Sequence, residues 1–307
     1  MTAYLIRRTL FAAFVLWGAV TIVFLVLRMV PGDPALLILG SDATPDEVER
    51  LRDQMGLNQP LLVQYGIYLA DVVRFDFGDS YRYHADAMGL VLDRFPLTLQ
   101  LAVVALVIGL VLGIALGVVG ALRVNRLADR IVSVFALLAQ SMPSFWIGIM
   151  FILVFARQLH IFASGGHGGF DRLIMPGVTL ALPLIAIQIR LTRSGLLDVV
   201  HENYIQTARA KGLPERVVIF LHAIRNAIIP IVTVAGLEFG KLLGGAVIVE
   251  TVFSWPGVGR LLIDSISARD YNVVQAAIML IAGGFVLINL IVDVLYGYLD
   301  PRIRLGR

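Results

Sequence analysis

The sequence predicts an all-α integral membrane protein with six transmembrane helices and a helical external insertion after the first. Three observations carry that expectation: six long apolar runs, a composition that a water-soluble fold would struggle to cover, and a one-sided distribution of arginine and lysine. Hydrophobic residues make up 58% of the 307 and charged residues 15%, with a mean hydropathy of +0.85. A soluble domain with that balance would expose large apolar patches and aggregate. The length is better used on spans of about 20 residues, each crossing about 30 Å of hydrocarbon. The runs lack period-2 alternation, which favours helices over barrel strands. A helix also pairs its own backbone amides inside the bilayer.

Taken in order, Leu10 to Leu27 is uncharged and follows Arg7 and Arg8. The chain continues as Met29-Val30-Pro31-Gly32-Asp33, with no small-x-small cleavage site, so residues 1–30 read as an uncleaved first helix rather than a signal peptide. Residues 31–94 form the external insertion. In it Thr44 caps a helix, Pro45 takes the first position and Glu47 completes a capping box; that helix ends near Gly56. A second amphipathic stretch begins at Pro60, with Leu61, Leu62, Tyr65, Leu69, Val72 and Val73 on or near one face. Together they are expected to form a small cap on the outer mouth.

Residues 95–300 read as a five-helix core. Its spans are Phe95 to Leu122, Ile131 to Ala156, the shorter Leu173 to Ile189, Ala227 to Val249 interrupted only by Glu238 and Lys241, and Tyr271 to Val292 ending at Asp293. Gly109, Gly113 and Gly117 recur every four residues, a ridge that lets another helix approach closely. Pro143 frees a carbonyl in the third span, so that Gln140 and Ser141 bend it or line a pathway. Asn289 and Asp293 read as structural. The run Ser164-Gly165-Gly166-His167-Gly168-Gly169 in loop 157–172 has high backbone freedom and reads as an external connector. Residues 301–307 form a tail.

Six spans put both termini on one side. The short segments on that side carry fourteen lysines and arginines, against four on the other (Arg157, Arg172, Arg260 and Arg269); this predicts cytoplasmic termini. The formal charge of +3 is too mild to imply a nucleic-acid partner. With no cysteine, disulfides, thiolate zinc sites and cysteine nucleophiles are excluded. The five histidines show no HExxH or other metal spacing, and the hydroxyl residues offer no nucleophile-elbow Gly-x-Ser-x-Gly or convincing dyad.

The most informative segment runs from Tyr204 to Pro230. It begins Tyr204-Ile205-Gln206-Thr207-Ala208-Arg209-Ala210-Lys211-Gly212-Leu213-Pro214-Glu215-Arg216 and closes at Ile229-Pro230. It reads as a short helix, a break at Gly212 and a second helix opening with Pro214, within the cytoplasmic stretch at about 195–226. Small residues let another protein's backbone approach, and a short rigid helix can transmit force. A solvated basic loop is the plainer alternative.

This segment resembles the cytoplasmic coupling loop, or EAA loop, of ATP-binding cassette (ABC) importer permeases. It is particularly similar to the Thr-Ala-Arg-Ala-Lys-Gly form of the dipeptide, oligopeptide and nickel permease family. Gln206 and Thr207 stand where the general pattern has Glu and Ala, while Ala208, Gly212 and Ile229-Pro230 match it. Further stretches resemble the family in order, among them Val30 to Pro34, Gly56 to Leu61, Phe75 to Ser80, Pro143 to Trp146, Arg190 to Ser194, Val249 to Gly259 and Leu299 to Arg304.

The resemblance implies a fold of the type I ABC importer permease kind, in the bacterial cytoplasmic membrane. It implies a second homologous permease sharing the pathway, two ATPase subunits each receiving a coupling loop, and an external solute-binding protein that delivers dipeptides, oligopeptides or similar solutes. The coupling residues would be Gln206, Thr207, Ala208, Arg209, Ala210, Lys211 and Gly212. No P-loop occurs, since Gly240-Lys241 is followed by Leu242. ATP and magnesium therefore belong to partners, and this chain is no enzyme. Candidate pathway residues are Gln140, Ser141, Glu238 and Lys241, the last two being three apart on one face in a place where charge is costly. The alternative is a secondary transporter driven by an ion gradient.

Overall fold

The computed structural model describes residues 2–29, 34–39 and 43–299. The Val30 to Asp33 stretch and the 301–307 tail lie outside them. Among the described residues the regular structure is helical, apart from one isolated antiparallel bridge between Asp79 and Asp86.

Helix α1 (Thr2–Met29) is the first span and lies at the periphery, with most of its apolar side chains exposed. Three short helices follow: α2 (Pro34–Leu39), α3 (Pro45–Gln54) and α4 (Leu61–Arg74). The capping box at α3 is present in both directions, with the Glu47 amide donating to Thr44 Oγ1 and the Thr44 amide to Glu47 Oε2 at 2.8 Å. The α4 face differs from expectation. Tyr65, Tyr68, Leu69 and Val72 turn inward, whereas Leu61, Leu62 and Val73 are exposed. The buried set has i, i+3, i+4, i+7 spacing. Val72 and Phe77 join a cluster with Val20, Met88, Val91, Val258 and Val273.

Helix α5 (Ala87–Leu122) is 36 residues long and begins eight residues before the apolar run, because Asp86 caps it by accepting from the Gly89 amide. The third span is broken. Helix α6 (Leu127–Ser141) and helix α7 (Ser144–Phe151), continued by a π-helical turn (Ile152–Gln158), meet at 106°. Pro143 has no amide to continue the helix, and it forces Met142 into extended backbone at φ −83°, ψ 133°. Among the described residues, five continuous helices are long and apolar enough to cross a membrane, and the bent pair makes up a sixth candidate span.

Helix α8 (Phe170–Val200) is the fourth span and the hub, with 72% of its most apolar window buried inside the chain. Short helix α9 (Asn203–Ala210) and the turn α10 (Glu215–Val217) come next, followed by a π-helical turn (Val218–Ala223) and α11 (Ile224–Val252). Helix α12 (Val258–Ser267) and the last span α13 (Tyr271–Leu299) complete the chain.

The glycine ridge packs α5 on α8. A Cβ at Gly109 would stand 2.4 Å from Leu184 Cδ2, one at Gly113 2.4 Å from Gln188 Cβ, and one at Gly117 2.6 Å from Thr192 Cβ. Two i, i+4 ridges therefore interlock, and only glycine on one of them allows it. Spans one and six are tied by an ion pair of 2.7 Å between Arg8 and Asp293. The glycine run of loop 157–172 is pinned rather than free. The Gly166 amide donates to the Phe253 carbonyl at 2.9 Å, and a Cβ at Gly165 would collide with that oxygen.

Candidate functional site

The elbow between α8 and α11 is built from a few local rules. Glu202 is extended, at φ −67° and ψ 147°, and turns the chain from α8 into α9. Helix α9 stops at Gly212, whose φ of +75° lies in the left-handed region that glycine adopts without penalty. The Gly212 amide donates to the Arg209 carbonyl at 2.9 Å. Pro214 sits at the N-cap of the next helix rather than at its first position, with φ −64°. From Glu215 to Val252 the α10, π-turn and α11 segments follow one another without an intervening loop.

Two side chains seat α9 on the spans. Ile205 and Ala208 are buried in a cluster with Val118 at the end of α5, Leu196 on α8, and Val218 and Ala227 beyond the elbow. This corrects one expectation. Ala208 faces inward, so its small size serves packing within the chain and not approach by a partner. Gln206, Thr207, Arg209, Ala210, Lys211 and Gly212 are exposed. Across the break Arg209 Nη2 and Nε donate to the Glu215 carboxylate at 2.7 and 3.2 Å, and Nη1 donates to the Val200 carbonyl at 3.4 Å. The hydrogen bond from Arg209 holds the Glu215 carboxyl below its ordinary range, and the same bond raises Arg209. Gln206 and Thr207 bond locally, to the carbonyls of His201 and Asn203. The exposed face therefore presents Lys211 and a bare glycine turn beside a guanidinium already held by Glu215.

A second group of polar contacts at this end was not singled out from the sequence. Asp129 on α6 is buried and receives Arg193 of α8 through two bonds, Nε to Oδ1 at 2.7 Å and Nη2 to Oδ2 at 2.9 Å, with the Asn125 amide adding a third. Gly120 lies against both side chains. A bidentate arginine–carboxylate pair fixes geometry as well as charge. Its signal in the sequence was a lone aspartate among Arg123, Arg126 and Arg130. At the opposite end the buried Glu250 is likewise unforeseen. It accepts from Thr98 Oγ1 at 2.6 Å and from the Arg260 amide at 3.1 Å, and Thr98 in turn accepts from the Val258 amide. A Cβ at Gly257 would fall on the Glu250 carboxylate. The Val249 to Gly259 motif is thus a turn packed around one carboxylate that caps α12.

The four pathway candidates fall into two separate pairs. Gln140 Oε1 accepts from Arg190 Nη2, and Ser141 Oγ bonds back to the Leu137 carbonyl at 2.8 Å. Glu238 and Lys241 form an ion pair of 2.6 Å, with Glu238 mostly covered and Lys241 65% exposed. Lys241 borders a largely apolar groove of about 470 Å³ between the first, fifth and sixth spans. Among the described residues no hydrogen bond joins the two pairs, and no group of three or more metal-ligating side chains lies together.

Comparison with known proteins agrees along the whole chain. Residues 109–305 match the family described as binding-protein-dependent transport system inner membrane component, and residues 1–102 match the corresponding N-terminal family. The chain is 42% identical to the glutathione transport system permease protein GsiC of Escherichia coli (strain K12), covering 99% of each. It is 39% identical to the dipeptide transport system permease protein DppB of Alkalihalophilus pseudofirmus, covering 99% of this chain and 100% of that one. Two solved structures share the fold at 19% identity. One is an inward-facing form of the MetNI methionine ABC transporter, with a TM-score of 0.55 over 69% of this chain and 97% of that one. The other is an amino acid ABC transporter with histidines, at 0.52 over 70% and 94%.

Proposed function

Because this chain belongs to the family of binding-protein-dependent transport system inner membrane components and is a transmembrane permease subunit of an ABC importer, we infer that its elbow is the handle by which separate ATPase subunits move the pathway. Family membership supports ATPase and binding-protein partners in general. The specific reading is two ATPases, each taking one elbow, a second homologous permease beside this one, and an external protein that delivers the solute. ATP and magnesium act in the ATPases. The termini and the elbow face the cytoplasm, in keeping with fourteen basic residues against four. The solute is a dipeptide, an oligopeptide or a related molecule such as glutathione, as the names of the relatives suggest. Nothing in the comparisons supports the ion-gradient alternative.

One observation carries this reading. The exposed turn at Lys211–Gly212 is seated through Ile205 and Ala208 on the ends of α5 and α8, and it runs through α10 and the π turn straight into α11. A push on that turn is therefore delivered to α5 and α8 through the packed α9, and to α11 across the Arg209–Glu215 ion pair that spans the break. The bent third span and the Glu238–Lys241 pair supply polar groups that a moving pathway could present to a charged solute. Reconstitution into vesicles with a second permease and the binding protein, with and without the ATPases, tests the reading. Uptake is expected only with the ATPases and ATP. Full-rate uptake driven by an ion gradient without them would overturn it.

A further inference from the structure

A cavity of about 400 Å³ lies at the insertion end, where the end of α1, the turn between α3 and α4, and the start of α13 meet. Its volume is within the range of small-molecule sites. Arg28 lines it together with Asp71 and Asp76, and Tyr68, Tyr81 and Tyr271 supply aromatic walls. Charges of opposite sign share this space without neutralising one another. Arg28 Nε donates to the neutral Gln64 Oε1 at 2.8 Å, and the guanidinium lies 4.6 Å from the Phe24 ring centre. Among the described residues no ion pair joins it to either aspartate. Asp76 accepts from the Gly78 amide at 3.1 Å. Burial, and then the neighbouring Asp76 charge, raise the Asp71 carboxyl above its ordinary range, against a smaller opposing effect of the Arg74 charge. Burial pushes the Tyr68 hydroxyl up to about 12.

Two carboxylates lining one cavity gain from a cation placed between them. An arginine whose guanidinium is held in plane by Gln64 and Phe24 suits a planar carboxylate. A bare metal ion would be repelled by Arg28, and a simple anion by the two aspartates. We propose that this cavity binds a small zwitterion, its carboxylate on Arg28 and its ammonium between Asp71 and Asp76 against the tyrosine faces. A dipeptide with free ends is the simplest molecule of that class. The proposal deepens the import reading, on which its peptide chemistry rests, by giving the permease itself a receiving site where the ends of the first and last spans meet the insertion.

The test uses the full chain in lipid nanodiscs, titrated with L-alanyl-L-alanine, its N-acetyl form and its C-terminal amide. The free dipeptide is expected to bind saturably, and each blocked form about tenfold more weakly or worse, since each loses a charge-assisted contact. Asp71→Asn should remove the discrimination against the acetylated form, and Arg28→Gln the discrimination against the amide. The wild-type comparison stands by itself if a variant fails to fold. Equal binding of all three forms, or no saturable binding, overturns the site. The import reading is judged separately, by ATP-dependent uptake in the assembled vesicles: uptake that persists while dipeptide binding is absent sinks the cavity proposal alone.

Discussion

The seam between α5 and α8 and the elbow that follows α8 are joined by the last turns of α8 and are built on opposite principles. The seam is backbone against side chain, with three glycines whose hydrogens are all that fits beneath Leu184, Gln188 and Thr192. The elbow is a short exposed helix held by two buried side chains and one ion pair that reaches across its break. The seam tolerates no added atom for want of space, whereas the elbow's outer face is open and is restricted only at Gly212, where a φ of +75° strains any side chain. On the proposed coupling role, rigidity is concentrated where force would be carried, and exposure where it would be applied. Between the two, the bidentate Asp129–Arg193 pair ties the start of the broken third span to α8.

The sharpest way to break this contrast is Gly113→Leu. Its first side-chain atom alone would stand 2.4 Å from Gln188 Cβ, so overpacking should cost about 3 kcal/mol. A thermal-unfolding series in nanodiscs, with Gly244→Leu as the open-space control, would show the loss at Gly113 only. Next comes Ala208→Arg, which forces a charged side chain into the Ile205–Val118–Leu196 cluster. The account expects about 2 kcal/mol or more of lost stability, and faster hydrogen exchange along 203–217 while the spans stay protected.

Gly212→Pro reads the elbow as a handle rather than as a packed element. Proline cannot reach a φ of +75° and loses the amide bond to Arg209. The protein should insert normally, with ATP turnover retained and uptake down about tenfold, a loss of coupling worth about 1.4 kcal/mol. Smallest is the Arg209–Glu215 pair. Both groups are largely solvent-exposed, which limits it to about 0.2–1 kcal/mol. The Glu215 carboxyl is held below its ordinary value of 4.5. Its contribution is therefore present above that value and disappears as pH falls through the lowered one. Once the intrinsic pH dependence of exchange is divided out, the protection factors of the elbow amides should fall on acidification below about pH 4.5 in the wild type and change little in Glu215→Gln.

Much of this arrangement was legible in the residues. Uncharged runs located the spans, spacing by four located the glycine ridge, and Thr44-Pro45-Asp46-Glu47 specified a cap that forms as expected. Charge-free runs mark the part of a helix that lies in hydrocarbon rather than its ends, so the eight residues of α5 before Phe95 were missed. Pro143 announced a break, but the 106° angle is set by packing around it. The inward turn of Ala208 shares its i, i+3 spacing with Ile205, a period obscured by the residue's smallness. The carboxylates at Asp129 and Glu250 have partners on distant helices, and one sequence does not announce such pairings.

The claim that the Lys211–Gly212 turn is gripped by a separate motor is open to direct measurement, because the chain has no cysteine of its own. Lys211→Cys places a single thiol on the exposed turn. The account predicts that it resists a membrane-impermeant reagent in intact cells, reacts in inverted vesicles, and forms a disulfide with cysteines introduced into the ATPase surface. Labelling from outside intact cells, or no cross-link in an assembly that still imports, would contradict it.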